Sequence, residues 1–161
     1  VGVEENPYLP KTNYQEADLV VQLVQEIIRV YNFNHKSFDP KKTIGIIAPF
    51  RNQIALIKQK LELAKVADFE QITVDTVERY QGSQRDIIIY SFAVTHYAQL
   101  NSLVNMNDTG DVDRKLNVAL TRAKEQLFLI GNKQILNENK ILNNLIKYLD
   151  QNKSVLSIEV N

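Results

Sequence analysis

Asp86-Ile-Ile-Ile-Tyr-Ser-Phe-Ala-Val94 is the longest β-rich run in the sequence, and it decides the fold class. We predict that it forms the central strand of a sheet. The shorter run Thr43-Ile-Gly-Ile-Ile-Ala48 is apolar and partly β-branched, as expected of a strand that is covered on both faces. Two further runs, residues 71–76 and 126–130, are also predicted to be strands.

Amphipathic segments separate these runs. Residues 14–31 carry apolar side chains at the three- and four-residue spacing of a helix that buries one stripe. Asn13 can cap this helix, and Glu16 three residues on makes an Asn version of the capping box. Further helices are predicted in three places: residues 51–65, residues 113–123, and the segment through Leu145 and Tyr148. Strands that alternate with helices predict a parallel, doubly wound α/β sheet.

Two segments are expected to be less regular. Residues 96–112 are polar and include Asn107-Asp-Thr-Gly110, which is typical of a surface loop. Residues 155–160 alternate weakly between apolar and polar and form either an edge strand or a tail. We therefore divide the chain into a lead-in segment (1–12), one domain (13–152) and a tail or edge strand (153–161).

The composition narrows the classes of function. With 161 residues and 44% hydrophobic content, the chain is long enough for one domain with its own core. Its 19 basic and 19 acidic residues balance, so binding to a polyanion must come from a local patch. With no cysteine and only two histidines, His35 and His96, no metal site is expected.

The sequence also carries expectations about location. No apolar run reaches the length of a membrane span, and residues 1–10 lack the basic-then-apolar order of a signal peptide. We therefore expect a cytoplasmic, intracellular domain that does not enter a membrane. The chain begins at Val1 and not at methionine, which suggests a piece of a longer protein.

Three loops carry sequence that core packing does not require. Ligands of an open parallel sheet bind beyond the carboxyl ends of its strands, so we expect a site in the loops after Ala48, Thr76 and Val94 and around Arg122. The first loop, Ala48-Pro-Phe-Arg-Asn-Gln53, follows a strand and opens a helix. Taken alone, it is typical of an ordinary strand-to-helix turn. Phe50 within it either lies under a ligand or packs into the core.

The other two loops allow two readings each. In residues 76–86, Gly82 lets backbone N–H groups approach an anion, with Arg79 and Arg85 adding charge, but it is equally explained as a turn glycine. In residues 114–124, basic groups lie at both ends of a predicted helix. They form either a solvated basic face or a docked helix that presents a guanidinium to a phosphate. Spacing does not decide between these readings.

Taken in order, the three segments resemble the second RecA-like motor domain of superfamily 1B helicases, in the branch that includes the nonsense-mediated-decay helicase and the Dna2-type nucleases. The family's motif IV, Thr/Ala-Pro-Tyr/Phe-x-x-Gln, is matched by Ala48, Pro49, Phe50 and Gln53. Its motif V, Thr-Val-Asp-x-Phe-Gln-Gly-x-Glu-x-Asp, is matched by Thr76, Val77, Gln81, Gly82 and Asp86, with Tyr80 for phenylalanine.

Motif VI gives the longest and most specific match. The family pattern Arg-Arg-Leu-Asn-Val-Ala-Leu-Thr-Arg-Ala-Lys/Arg is met at Arg114 and at residues 116–124, with Lys115 for the second arginine. Asn13 and Glu16-Ala17 also resemble the Asn-x-x-Glu-Ala that begins the first helix of this domain. The resemblance covers residues 10–132.

This resemblance implies a RecA-like fold without a P-loop and a role for particular residues. Arg122 would reach the γ-phosphate of ATP as an arginine finger, with Gly82 and Gln84 beside the nucleotide. Thr76 and the loop of Ala48, Pro49 and Phe50 would contact the backbone of single-stranded DNA or RNA. ATP and Mg²⁺ would be held mainly by the first RecA-like domain of the same monomeric protein.

The sequence also departs from the family pattern. Gln84 replaces the usual glutamate of motif V, Glu78 replaces the usual aspartate, and Val94 stands where an arginine is common. No Gly-x-x-x-x-Gly-Lys-Ser/Thr and no Asp-Glu pair for magnesium occur in the sequence. We therefore expect that this chain does not hydrolyse ATP by itself.

Two other functions are compatible with parts of the sequence. A receiver-like signalling domain would need paired acids after its first strand, and none occurs there. A degenerate helicase domain that only binds nucleic acid or protein is mildly favoured by Gln84 and Val94. The intact Thr121-Arg122 argues against it, because a binding module has no need of an arginine for the γ-phosphate.

Overall fold

Four parallel strands form the sheet in the part of the chain that the computed structural model describes, residues 11–80, 83–103 and 114–158. They are β1 (Ile44–Ile47), β2 (Thr73–Asp75), β3 (Arg85–Ser91) and β4 (Ala123–Ile130). Their order is β2-β1-β3-β4, and each neighbouring pair is parallel. The predicted central strand is confirmed as an interior strand, although β3 ends at Ser91 and not at Val94.

Helices connect the strands. The longer ones are α1 (Tyr14–Phe33), α2 (Arg51–Leu63) and α6 (Lys140–Gln151). The shorter ones are α3 (Leu100–Leu103), α4 (Arg114–Leu120) and α5 (Lys133–Leu136). Single 3₁₀ turns lie at Phe69–Gln71, Val77–Tyr80 and Tyr97–Gln99.

The two interior strands, β1 and β3, are buried on both faces, as the apolar run at residues 43–48 predicts for β1. Ile44 and Ile46 of β1 point into a core that α1 and α2 close. Ile47 points into a second core on the opposite face, which Leu116 of α4 and Leu142 of α6 help to close. Because successive strand residues point to opposite faces, one strand serves both cores. The predicted α/β, RecA-like sheet with helices on both faces is thus confirmed.

The start of α1 confirms only half of the predicted capping box. The side chain of Asn13 accepts a hydrogen bond from the amide of Glu16 at 3.1 Å, as an N-cap should. The carboxylate of Glu16 does not complete the box, because the amide of Asn13 donates instead to Gln53 at 2.7 Å. Glu16 turns inwards and is only 4% exposed.

The predicted helix at residues 113–123 is shorter than expected. α4 ends at Leu120, where the amide of Arg122 donates to the carbonyl of Ala119 and tightens the last turn. The carbonyl of Arg122 then accepts from the amide of Arg85 at 3.0 Å, which starts the pairing of β4 with β3. Pairing with the sheet therefore outweighs continuation of the helix, and Arg122 lies in the turn between α4 and β4 and not on the helix.

The segment predicted as a loop at residues 96–112 is partly helical. The side-chain oxygen of Gln99 accepts from the amides of Thr95 and His96 at 2.9 and 3.1 Å. This caps the turn at Tyr97–Gln99, which continues directly into α3. The remainder of the predicted loop, residues 104–112, lies outside the described residues.

At the other end of the chain, residues 154–158 belong to no strand, and Leu156 is 87% exposed. Within the described ranges this end fits the tail and not the edge strand, while the domain limits at residues 13 and 152 stay predictions. No helix among the described residues is both long enough and apolar enough to cross a membrane.

Candidate functional site

The candidate site residues lie on two opposite edges of the sheet. Ala48 follows β1 and Thr76 follows β2, so both lie at the edge where the strands end, here called the carboxyl edge. Gln84 precedes β3 and Arg122 precedes β4, so both lie at the edge where the strands begin, here called the amino edge. The expectation that all candidate loops share the carboxyl edge is therefore wrong for Arg122. The chain must return from the end of β3 to the start of β4, and α4 makes the last part of that return.

The first three residues of the motif IV loop at the carboxyl edge present backbone more than side chains. Ala48 is 0% exposed and Phe50 is 6% exposed, and the ring of Phe50 packs in the second core with Ile47 and Val77. Of the two readings of Phe50, the core reading fits this burial. Pro49 is partly exposed. A ligand that contacts these three residues therefore meets backbone groups and the ring of Pro49, and the exposed side chains of Arg51 and Asn52 follow directly at the start of α2.

Gln53 of motif IV has a structural role. It is 0% exposed, and its amide nitrogen donates to the carbonyl of Asn13 at 3.0 Å and to the hydroxyl of Ser91 at 3.2 Å. With the bond from the Asn13 amide, the side chain is satisfied on both its oxygen and its nitrogen. Gln53 thus ties the start of α1 to the end of β3.

Glu16 is the buried acid of the same network. Its carboxylate accepts hydrogen bonds from the Ser91 hydroxyl at 2.7 Å and from the Ala93 amide at 2.8 Å. Burial raises the pKa of Glu16 to about 7, although the hydrogen bonds from Ala93 and Ser91 act in the opposite direction. Ala93 has a φ of 57°, an unusual conformation for a residue with a side chain, and Glu16 helps to hold it there.

Thr76 begins the motif V turn at the carboxyl edge. Its amide donates to the carboxylate of Asp75 at 2.8 Å, and its carbonyl accepts from the amide of Arg79. Its hydroxyl bonds to the carboxylate of Glu78. Arg79 is available to solvent, with a side chain that is 75% exposed and 3.9 Å from Asp75. Arg79 is therefore the motif V arginine that an anion at this edge could reach.

Arg85, which the sequence allowed as an anion-binding group, is held by contacts within the fold. Its guanidinium lies 5.6 Å from the ring centroid of Tyr80 and donates to the hydroxyl of Thr73 at 3.2 Å and to the carbonyl of Gln84 at 2.9 Å. A Cβ on Gly45 would come within 2.8 Å of both Arg85 and Tyr80. The bare backbone of Gly45 therefore makes room for this stack across β1.

Tyr80 stands where the family pattern has phenylalanine, and its additional hydroxyl group makes two hydrogen bonds. Its hydroxyl donates to the carbonyl of Thr73 at 2.6 Å and accepts from the amide of Ile46 at 3.1 Å. One hydroxyl thus bridges the backbones of β2 and β1. The sequence showed only an aromatic exchange and gave no sign of this bridge.

Gln84 and Arg122 come together at the amino edge. The amide nitrogen of Gln84 lies 3.4 Å from the carbonyl of Thr121, next to Arg122. Arg122 is partly exposed, and its Nε donates to the carbonyl of Val118 at 3.2 Å. No described residue bonds to its two terminal nitrogens. Gly82, the third candidate for the nucleotide, lies outside the described residues.

One ion pair at this site was missed by the sequence reasoning. Lys115 of α4 lies 3.2 Å from the carboxylate of Glu78 in the motif V turn. Both residues are departures from the family pattern, and two charged departures of opposite sign are a signal that could have suggested the pair.

The sequence of this chain is similar to those of known proteins. A family model described as an AAA domain matches residues 4–134. Relatives include the DNA replication ATP-dependent helicase/nuclease dna2 of Schizosaccharomyces pombe, 30% identical over 100% of this chain and 10% of that protein. The Bos taurus protein of the same description is 33% identical over 91% of this chain and 12% of its own length. The DNA polymerase alpha-associated DNA helicase A of Saccharomyces cerevisiae is 31% identical over 89% of this chain and 20% of its own length.

The chain is a domain of the superfamily 1 helicases, in the branch that includes the nonsense-mediated-decay helicase and the Dna2-type nucleases. It spans between 10% and 20% of the length of these three curated relatives. The matched region of this helicase domain ends shortly after β4, so the resemblance at residues 10–132 and the family match cover almost the same residues.

Proposed function

We propose that this chain is the second motor domain of an ATP-dependent helicase and that Arg122 is its arginine finger. The observation that supports this best is how Arg122 is held. Its carbonyl is bonded to Arg85 of β3 and its Nε to Val118 of α4, while its terminal nitrogens have no partner among the described residues. A guanidinium that is fixed at its Nε and whose terminal nitrogens bond to none of the described residues suits a phosphate group, which it can bind with two parallel hydrogen bonds.

In this proposal the nucleotide binds between the amino edge and a first RecA-like domain. That domain holds ATP and Mg²⁺ through its P-loop, and the metal neutralises charge on the phosphates. Gln84 and Gly82 lie beside the nucleotide. Gln84 lacks the charge of the usual glutamate but can still donate and accept hydrogen bonds. This chain, which has no P-loop in its sequence, does not hydrolyse ATP alone.

The carboxyl edge binds the backbone of single-stranded DNA or RNA. Thr76 and the backbone of Ala48, Pro49 and Phe50 make the contacts. Since the side chains of Ala48 and Phe50 are buried, these contacts carry little sequence preference and weaken as salt is added. Closure of the two domains on ATP and opening after hydrolysis then move the protein along the strand.

The test is steady-state ATP hydrolysis by the protein that carries this domain together with its P-loop domain. Arg122→Ala is compared with the wild type and with Arg29→Ala, which removes an exposed arginine on α1. We expect single-stranded DNA or RNA to stimulate hydrolysis and Arg122→Ala to reduce the stimulated kcat by roughly a thousandfold while ATP still binds. If Arg122→Ala has no more effect than Arg29→Ala, the domain is a degenerate binding module and the proposal fails.

A further inference from the structure

Two segments run side by side across one face of the sheet, from the carboxyl edge to the amino edge. The first is the motif V segment, of which the structure describes residues 76–80 after β2 and residues 83–85 at the start of β3. The second is α4 together with the turn that follows it, which ends at Arg122 just before β4. A strand as long as β3 spans roughly 20 Å, so these two segments link distant edges.

The two segments are joined near both ends. Near the carboxyl edge, Lys115 of α4 lies 3.2 Å from the carboxylate of Glu78. Near the amino edge, the amide of Arg85 donates to the carbonyl of Arg122 at 3.0 Å. Val77 and Leu116, the chain neighbours of Glu78 and Lys115, are buried in the same core. A movement of the motif V turn must therefore move α4 or break one of these contacts.

Glu78 also connects to the residue that begins the turn. Its carboxylate accepts from the hydroxyl of Thr76 as well as from Lys115. Partial burial alone would raise the pKa of Glu78, but hydrogen bonds from its own amide, Lys115 and Thr76 outweigh burial and lower it. The carboxylate is therefore charged at neutral pH and can hold both partners.

We propose that Glu78 and Lys115 are positioning residues that couple nucleic-acid binding at Thr76 to the placement of Arg122. A strand that engages the hydroxyl of Thr76 changes the hydrogen bonds of the Glu78 carboxylate. Lys115 passes that change to α4, and the turn that follows α4 carries Arg122. This inference rests on the proposed function, because it assumes that Thr76 contacts nucleic acid and that Arg122 contacts ATP.

The energetics separate this role from a purely structural one. The side chains of Lys115 and Glu78 are 31% and 55% exposed, and an ion pair this close to solvent adds little to stability. Removing it should leave the thermal unfolding midpoint almost unchanged. A change in the coupling between two ligands would then come from the pair and not from loss of the fold.

The experiment measures the ratio of stimulated to basal ATP hydrolysis at saturating single-stranded DNA or RNA, in the protein with both motor domains. The variants are Glu78→Gln, Lys115→Met and the charge swap Glu78→Lys with Lys115→Glu. Glu26→Gln, which breaks an exposed ion pair on α1, is the control. We expect each single variant to lower the ratio by roughly two- to thirtyfold with little change in the basal rate, and the swap to restore part of it.

Three results would overturn the inference: single variants that keep the wild-type ratio, a swap no better than the singles, or variants that weaken only the affinity for the strand. Failure of the proposed function looks different. In that case the wild type is not stimulated at all, or Arg122→Ala hydrolyses ATP normally. A stimulated wild type that depends on Arg122 but not on the pair rejects this inference alone.

Discussion

The carboxylate of Glu16 accepts a hydrogen bond from the hydroxyl of Ser91 at 2.7 Å, although 75 residues separate them in the sequence. The bond joins the first turn of α1 to the last residue of β3. Gln53 of α2 also donates to Ser91, so the same network includes α2. The end of β3 at the carboxyl edge is therefore held by one buried acid, Glu16, and one buried side-chain amide, Gln53.

The buried acid makes stability depend on pH. The pKa of Glu16 is raised from 4.5 to about 7 on folding, so the folded protein binds a proton between these values that the unfolded chain has lost. Its stabilising contribution is complete below about pH 4.5 and is lost as the pH rises through 7. As the pH rises from 5 to 8, we expect the free energy of unfolding to fall by roughly 3 kcal/mol because Glu16 loses its proton in the folded protein.

Urea unfolding of the wild type and of Glu16→Gln at several pH values measures this contribution. Between pH 5 and pH 8, the free energy of unfolding of the wild type should fall relative to that of Glu16→Gln. Glu26→Gln, at an exposed position of the same helix, should give a profile parallel to the wild type. A Glu16→Gln profile that is also parallel would show that Glu16 does not change its protonation in this range.

Tyr80→Phe removes one oxygen atom and leaves two backbone groups without their partner. Because the carbonyl of Thr73 and the amide of Ile46 both bond to this hydroxyl, the variant should lose about 1–3 kcal/mol of unfolding free energy. Tyr148→Phe, at a position that is 62% exposed, is the matched control and should be neutral. If Tyr80→Phe is as stable as the wild type, the backbone groups of β1 and β2 must bond directly to each other once the hydroxyl is removed.

Gln53→Met keeps the volume of the side chain and removes its hydrogen bonds. We expect a loss of about 1–3 kcal/mol in unfolding free energy, because polar groups of Asn13 and Ser91 lose their buried partner. The same change at Gln59, an exposed residue of the same helix, should be nearly neutral. Similar midpoints for the two variants in thermal unfolding would assign Gln53 no structural role.

The sequence predicted the fold because the signals for it are local. The apolar runs around Ile46 and Ile88 show that the strands are covered on both faces, and the spacing in residues 14–31 indicates a helix on a sheet. Element ends were less predictable. α4 stops at Leu120 because Arg122 pairs with Arg85, a contact between residues that are distant in sequence.

The candidate site was predicted as a set of residues but not as an arrangement. The motifs gave the identities of Thr76, Gln84 and Arg122, but no local pattern showed that Thr76 and Arg122 lie on opposite edges. The direction of Arg85 was equally hidden, since its place over Tyr80 depends on Gly45 in another strand. The pairing of Glu78 with Lys115 likewise required the fold.

The central claim is that Arg122 acts on the γ-phosphate of ATP during hydrolysis. The most direct measurement is the affinity of the two-domain protein for ADP with aluminium fluoride, a mimic of the transition state, compared with its affinity for a non-hydrolysable ATP analogue. In Arg122→Ala we expect binding of the mimic to weaken by roughly a hundredfold or more, while binding of the analogue changes little. Equal weakening of both ligands, or of neither, would contradict the role assigned to Arg122.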